Sequence, residues 1–121
     1  MQINQKLKDG TKICYISMEI GLDSNIPTYS GGLGVLSGDT VRSAADLEIP
    51  MVGICLCYSS GYFYQLFNEH GEQKEKEMNW SFFYEFDRVE KPITIKIQDK
   101  TIKVSAWLYR VIGQSGHVIP I

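Results

Sequence analysis

The sequence predicts an α/β fold that begins with a parallel β-α-β unit and continues with an antiparallel β-hairpin. Two apolar segments, residues 12–18 and 51–58, are typical of strands and flank a segment whose apolar residues have helical spacing. Apolar and polar residues alternate strictly at 93–97 and again from residue 101, which predicts the hairpin. The 121 residues fit one domain, and 44% hydrophobic with 21% charged residues is the composition of a globular protein.

The β-α-β unit is built around a glycine segment, SGGLG at residues 30–34. Residues 12–18 combine β-branched and aromatic side chains and predict the first, buried strand. A helix is predicted over about residues 35–48, and Pro50 ends it because the residue before a proline avoids helical angles. The continuous apolar run at 51–58 predicts a strand buried on both faces, as in a parallel sheet.

Turn residues divide the second half of the chain. In order, we predict a turn at 59–61, a strand at 62–67, a turn at 68–71 and a charged, exposed segment at 73–78. The hairpin follows, with strands at 93–97 and 101–111 and a tight turn at Asp99 and Lys100.

The two ends of the chain lead to a prediction about domain organisation. Residues 1–11 are a polar lead-in, and residues 117–121 predict the opening of another apolar strand at which the chain stops. We therefore expect residues 12–121 to be an incomplete domain, truncated at its C-terminal end. Because such a piece leaves apolar surface uncovered, we expect it either to self-associate or to be only marginally stable.

Charge and composition exclude several functions. Twelve basic and 14 acidic residues give a net charge of −2, which offers no basic patch for a nucleic acid or an anionic membrane. The apolar run at 51–57 is far shorter than the ~20 residues that span a bilayer. The polar N-terminus lacks a signal-peptide core, so a cytoplasmic protein is predicted. Cys14, Cys55 and Cys57 include no C-x-x-C pair, which argues against a disulfide framework; buried free thiols are predicted, with Cys55 and Cys57 on one strand face.

The glycine segment is the most informative feature for function. Gly31, Gly32 and Gly34 let a ligand approach the backbone, and a helix after them directs unpaired N–H groups and a partial positive charge outward. This arrangement favours an anion or a phosphate. A tight turn with close helix packing explains the same glycines, and the segment alone leaves both interpretations open. It matches neither the dinucleotide fingerprint nor a Walker A loop.

Other candidates carry less information. Ten of the fourteen aromatic residues lie between residues 58 and 86, where core packing is favoured over stacking on sugar rings. Glu19 follows the first strand, at the sheet edge where ligands of parallel α/β folds bind. Asp39 and Arg42 are spaced as a helix-surface pair. No nucleophile-histidine-carboxylate set or metal-binding motif is present in the pattern, so the residues predict a binding loop rather than a catalytic centre.

Several motifs in the right order resemble the N-terminal region of α-glucan (glycogen and maltodextrin) phosphorylases. They are YISMEIGL at 15–22, YSGGLGVLSGD at 29–39, ADLEIPMVG at 45–53, the pattern Y-x-x-G-Y-F-x-Q at 58–65, GEQ at 71–73 and GHVIPI at 116–121. The resemblance covers nearly the whole chain from Lys12. Gly21 and the wording of the glycine segment are similar to the shorter bacterial and archaeal branch of the family.

The resemblance implies a partial Rossmann-like N-terminal domain of a GT-B type glycosyltransferase. The family uses inorganic phosphate to release glucose 1-phosphate from α-1,4-glucan ends and carries pyridoxal 5'-phosphate. By this resemblance, the residues that face the substrate phosphate and the sugar are Gly31, Gly32, Leu33, Gly34, Glu19 and Ser30. The family's cofactor lysine and main catalytic side chains fall outside this chain. The resemblance therefore implies that the remainder of the enzyme is needed and that the isolated chain is inactive.

Two alternatives remain open. One is the N-terminal piece of a nucleotide-sugar glucosyltransferase of the starch or glycogen synthase type, which also has a Gly-Gly-Leu loop but usually with a lysine where Ser30 stands. The other is a non-enzymatic module that binds a sugar or a phosphate, which would need to fold alone and to cover its sheet edge by dimerisation.

Overall fold

The computed structural model describes residues 12–78, 80–81 and 85–121, which contain one helix and ten strands. The predicted lead-in, residues 1–11, lies outside the described residues. In the described part of the chain the strands form five two-stranded sheets, one parallel and four antiparallel. No helix among these residues is long and apolar enough to cross a membrane.

The first sheet confirms the predicted β-α-β unit. Strand β1 (Ile13–Ile16) runs parallel to strand β2 (Met51–Ile54), and helix α1 (Gly32–Asp46) connects them. In this register Tyr15 lies opposite Gly53. Both strands are shorter than predicted, and β1 is largely exposed instead of buried, because its sheet contains only two strands among the described residues.

Backbone hydrogen bonds cap the C-terminus of helix α1, and the helix ends before the proline. The N–H of Glu48 donates to the carbonyl of Ala45 over 3.2 Å, and the N–H of Ile49 donates to the carbonyl of Ala44 over 2.9 Å. Glu48 has a φ of 55°. This is the Schellman pattern, in which a left-handed residue satisfies the last helical carbonyls. The helix therefore stops before the extended residues that lead to Pro50.

Strand β2 does not extend through the cysteines, so the prediction of a strand buried on both faces at 51–58 is wrong. The strand ends at Ile54, whose side chain is 49% exposed. Cys55 is half-buried, while Cys57 and Cys14 are exposed, and all three are free. The prediction that Cys55 and Cys57 share a buried strand face is therefore wrong. Burial nevertheless raises the pKa of both thiols.

The charged segment after the second turn is a strand, which the sequence did not predict. Strand β3 (Phe63–Phe67) pairs antiparallel with strand β4 (Gln73–Glu77), whose five residues are all exposed. In the turn, the Asn68 side-chain carbonyl accepts the N–H groups of His70 and Glu72 at 3.0 and 2.8 Å. The alternating charges of β4 contain no apolar pattern, so backbone pairing alone defines this strand.

The predicted second hairpin is confirmed, with two adjustments. Strand β6 (Ile93–Ile97) pairs antiparallel with strand β7 (Lys100–Val104), and Ile95 lies opposite Ile102. The turn consists of Gln98 and Asp99, since Lys100 already pairs with Ile97. The predicted strand at 101–111 is therefore shorter, and the chain after β7 forms three further strands.

These last strands form one pair with a distant strand and one pair between neighbours in the sequence. Strand β5 (Asp87–Arg88) pairs with β8 (Trp107–Leu108), and β9 (Arg110–Ile112) pairs with β10 (Val118–Pro120), all antiparallel. The predicted apolar strand at the end of the chain is thus present, and its Ile119 is completely buried.

A small core joins helix α1, the segment after β1 and strand β10. Its buried apolar residues are Ile20, Leu22, Ile26, Val41, Ala44, Ala45, Ile49 and Ile119. Trp80, Phe86 and Tyr109 pack against this core, with ring centroids 5.9 Å apart for the first pair and 5.4 Å for the second. Part of the predicted aromatic cluster, Trp80 and Phe86, is therefore partly buried against the core. Phe67 is 75% exposed, and residues 82–84 lie outside the described residues.

The β6–β7 hairpin has an uncovered apolar face. Alternate residues of a strand lie on the same side, so Ile93, Ile95 and Ile97 share one face with the cross-strand partners Ile102 and Val104. The four isoleucines are 38–62% exposed. Such a surface favours association in water.

We expect the 121-residue chain to self-associate through exposed apolar faces of this kind. Replacing Ile95 and Ile102 by threonine should lower the average mass measured by light scattering, because it removes apolar area that association buries. Replacing Lys96 and Lys103 by glutamine on the opposite hairpin face is the control and should leave the average mass high. A monodisperse monomer with a cooperative melt would contradict this expectation.

Candidate functional site

The glycine segment forms the first turn of helix α1 instead of a loop before it. Gly31 is the N-cap residue in an extended conformation, and no side chain caps the helix. The first backbone bond joins the N–H of Val35 to the carbonyl of Gly31 over 3.2 Å. The N–H groups of Gly32, Leu33 and Gly34 have no hydrogen-bond partner among the described residues. Three unpaired donors and the positive end of the helix dipole thus lie at this turn, where Gly32 and Leu33 are exposed and Gly34 is buried.

The glycines at the start of helix α1 serve two different purposes. A Cβ atom at Gly34 would lie 2.1 Å from the Cβ of Tyr29, and one at Gly38 would lie 2.2 Å from the carbonyl oxygen of Gly21. Gly34 and Gly38 are therefore required for packing. A Cβ atom at Gly31 or Gly32 would meet nothing within 4 Å, so these two glycines border open space.

The carboxylate of Glu19 lies beside this turn and accepts three hydrogen bonds. The N–H of Ser30 donates to Oε2 over 3.4 Å, and the Ser30 hydroxyl donates to Oε1 over 3.4 Å. The hydroxyl of Tyr62 donates to Oε1 over 3.2 Å. The structure therefore brings together Glu19, Ser30 and the glycine segment.

Tyr62 is a permanent donor in this cluster. Burial and the neighbouring negative charge of Glu19, which also accepts its hydrogen bond, raise the pKa of Tyr62 to about 12. The phenol consequently remains protonated at neutral pH. The ring of Tyr58 meets it edge to face, with centroids 5.9 Å apart.

A chain of hydroxyl groups holds the backbone of this region under the helix. The Ser17 hydroxyl donates to the carbonyl of Glu19 over 2.7 Å and lies 3.0 Å from the fully buried hydroxyl of Ser37. Ser37 also donates to the carbonyl of Leu33 over 2.8 Å, and Tyr15 donates to Ser37 over 3.2 Å. The end of β1 is thereby attached to the first turn of α1.

An open groove of about 630 Å³ adjoins the carboxylate cluster. Ser30 and Tyr62 form part of its wall, together with Tyr29, Tyr64 and Gln65. Its lining thus includes both aromatic rings and polar groups.

The sequence did not single out Tyr62, Ser17 or Ser37 as site residues. Tyr62 belongs to one of the motifs of the resemblance, which was the only available signal, because it lies 43 residues from Glu19. Asp39 and Arg42 form an exposed ion pair at 3.8 Å, as predicted for a helix surface. Among the described residues, no group of three or more histidine, cysteine or acidic side chains could hold a metal ion.

Comparisons with known proteins identify a family. The family profile for carbohydrate phosphorylases matches residues 20–112. The chain is 42% identical over 81 residues to a maltodextrin phosphorylase of Thermococcus litoralis, covering 67% of this chain and 9% of that protein. It is 48% identical over 65 residues to a glycogen phosphorylase of Mycobacterium tuberculosis, covering 54% of this chain and 8% of that protein. It is 35% identical over 77 residues to a glycogen phosphorylase of Aquifex aeolicus, covering 62% of this chain and 11% of that protein. The chain thus spans about a tenth of the length of these relatives.

The two kinds of glycine should respond differently to substitution. Gly38→Ala should lower the free energy of unfolding by about 2 kcal/mol, because its Cβ atom would overlap the backbone at Gly21. Gly32→Ala should change it by less than about 1 kcal/mol, since the added methyl group meets open space. Urea unfolding followed by circular dichroism measures both values. Equal losses in the two variants would contradict this division.

Proposed function

This chain belongs to the carbohydrate phosphorylase family, and we propose that it supplies one wall of the substrate site of an α-glucan phosphorylase. The proposed cytoplasmic enzyme cleaves the terminal α-1,4 bond of a glucan with inorganic phosphate and releases glucose 1-phosphate. The chain would form part of a Rossmann-like N-terminal domain in a GT-B arrangement. The observation that carries the proposal is the uncapped first turn of α1, with three free N–H groups beside Glu19.

The free N–H groups of Gly32, Leu33 and Gly34 are suited to a phosphate group. They are directed along the helix axis, where the dipole favours a negative charge. No acidic side chain lies in the first turn of α1. The open space at Gly31 and Gly32 would allow phosphate oxygens to reach hydrogen-bond distance of the backbone.

Glu19 is suited to the sugar and not to the phosphate. An ionised carboxylate only accepts hydrogen bonds, and a second anion in contact with it would be repelled. Glucose hydroxyl groups can donate to it, while the exposed Ser30 hydroxyl can contact the same ring. The proposed division therefore places phosphate at the helix turn and the glucosyl unit at Glu19 and Ser30.

The described residues would provide only part of a binding site for pyridoxal 5'-phosphate, the cofactor implied by the family. The helix turn fits a phosphate group. Among the described residues, however, no lysine forms a hydrogen bond or an ion pair at the glycine segment. We therefore propose that the chain shapes the substrate side of the site and that another part of the enzyme anchors the cofactor.

Removing one backbone donor should weaken phosphate binding. Proline is tolerated at the first helical position, so Gly32→Pro deletes the N–H of Gly32 while keeping the turn. Isothermal titration of the complete gene product with inorganic phosphate should show about tenfold weaker binding, the loss expected for one hydrogen bond to a charged group. Gly32→Ala keeps the N–H and is the control. Equal affinities in the two variants would contradict a phosphate site at this turn.

The isolated chain should not catalyse the reaction. Incubation of the 121-residue chain with maltodextrin and phosphate should yield no glucose 1-phosphate, whereas the complete gene product should yield it. The reason is that the described residues include no candidate for the cofactor anchor at this site. Appreciable product from the chain alone would refute its inactivity. Binding of ADP-glucose by the complete gene product without phosphorolysis would favour the synthase type instead.

A further inference from the structure

We propose that Tyr62 is a positioning residue, which orients the Glu19 carboxylate so that Oε2 can accept a hydroxyl group of the glucosyl unit. This inference rests on the proposed function, because it assigns the sugar to Glu19. It adds a residue from the second half of the chain to the site, through the 3.2 Å hydrogen bond from the Tyr62 hydroxyl to Oε1 of Glu19.

The two carboxylate oxygens of Glu19 accept different hydrogen bonds. Oε1 accepts both hydroxyl groups, from Tyr62 and Ser30, while Oε2 accepts only the N–H of Ser30. A carboxylate offers about four acceptor positions, two on each oxygen. Oε1 is therefore satisfied by the protein, and Oε2 keeps one position for a ligand.

Tyr62 provides the strongest restraint in this group. Its bond to Glu19 is shorter than the two 3.4 Å bonds from Ser30. Ser30 is exposed and adjoins the glycine turn, whereas Tyr62 is half-buried and directly precedes β3. Without Tyr62, the flexible Glu19 side chain would be held from one side only, and its ordering would have to occur when the sugar binds.

The protonation of Tyr62 makes this restraint constant. Burial and the Glu19 charge, with smaller contributions from Tyr58 and Cys55, raise its pKa. The edge-to-face contact with Tyr58 restricts the orientation of the ring. Tyr62 therefore donates to Glu19 throughout the neutral pH range.

A purely structural role of Tyr62 predicts a different result from a positioning role. If Tyr62 only attached β3 to the end of β1, its hydroxyl would affect stability and its effect on sugar binding would not depend on Glu19. If it acts through the carboxylate, the effect on sugar binding should disappear once the carboxylate has been replaced. A double-mutant cycle separates the two cases.

The test measures maltoheptaose binding and phosphorolysis by the complete gene product. Tyr62→Phe should weaken maltoheptaose binding about tenfold and raise KM more than it lowers kcat. Glu19→Gln should weaken binding at least as much, and adding Tyr62→Phe to it should have no further effect. Tyr109→Phe is the control, since the Tyr109 hydroxyl has no hydrogen-bond partner among the described residues and its ring is also half-buried.

Additive losses in the double variant, or wild-type affinity in Tyr62→Phe, would overturn the positioning role. Urea unfolding of Tyr62→Phe and Tyr109→Phe checks that a loss of binding is not a loss of fold. Similar stabilities are expected for the two variants, and unfolding confined to Tyr62→Phe would assign its hydroxyl to structure instead.

A readout without sugar distinguishes failure of this inference from failure of the proposed function. In the carbon NMR spectrum, the carboxyl resonance of Glu19 should shift in Tyr62→Phe and not in Tyr109→Phe. Absorbance titration should show a lower pKa of Tyr62 in Glu19→Gln, because the neighbouring negative charge is gone. An unchanged resonance or pKa would overturn the contact. Both changes without any maltoheptaose binding in the wild type would refute the glucan function, and with it the sugar-directed role of Tyr62.

Discussion

The N–H of Gly21 donates to the carbonyl of Gly34 over 2.8 Å, and the rest of the site depends on this close approach. The bond joins the segment after β1 directly to the first turn of α1. It can form because Gly34 and Gly38 carry no side chain where Tyr29 and the Gly21 carbonyl pass. The helix N-terminus is therefore held beside Glu19, which lies three residues after the end of β1.

Two oppositely charged features lie next to each other as a result. The uncapped turn presents three N–H groups, and Glu19 presents a carboxylate already engaged by Ser30 and Tyr62. The Glu19 carboxylate does not pair with the N–H groups of the first turn, because it is hydrogen-bonded to Ser30, which precedes the helix. A ligand with a phosphate at one end and sugar hydroxyl groups at the other would match both features.

Burial is unevenly distributed around the site. The β-α-β unit has a buried core and a network of hydroxyl groups around Ser37, which is fully buried. The β3–β4 and β6–β7 hairpins expose most of their side chains. Tyr62 lies at the boundary, just before β3, and connects the less buried part of the fold to the well-packed one. A change in the β3–β4 hairpin could therefore reach the carboxylate through a single hydroxyl group.

The sequence by itself determined the features that depend on neighbouring residues. Apolar spacing predicted the β-α-β unit, alternation predicted the β6–β7 hairpin, and ordered motifs predicted the family. Apolar spacing and alternation show which face of a helix or strand becomes buried. They can therefore be recognised without knowing which distant segment covers that face.

Only the tertiary structure decided the contacts between distant segments. It started helix α1 within the glycine segment, paired strand β4, which has no apolar residue, with β3, and divided the predicted strand at 101–111. It also separated Gly34 and Gly38, which pack, from Gly31 and Gly32, which border open space. Tyr62 reaches Glu19 across 43 residues for the same reason: a hydrogen bond between two segments depends on how they dock, and docking leaves no periodic signal in either segment.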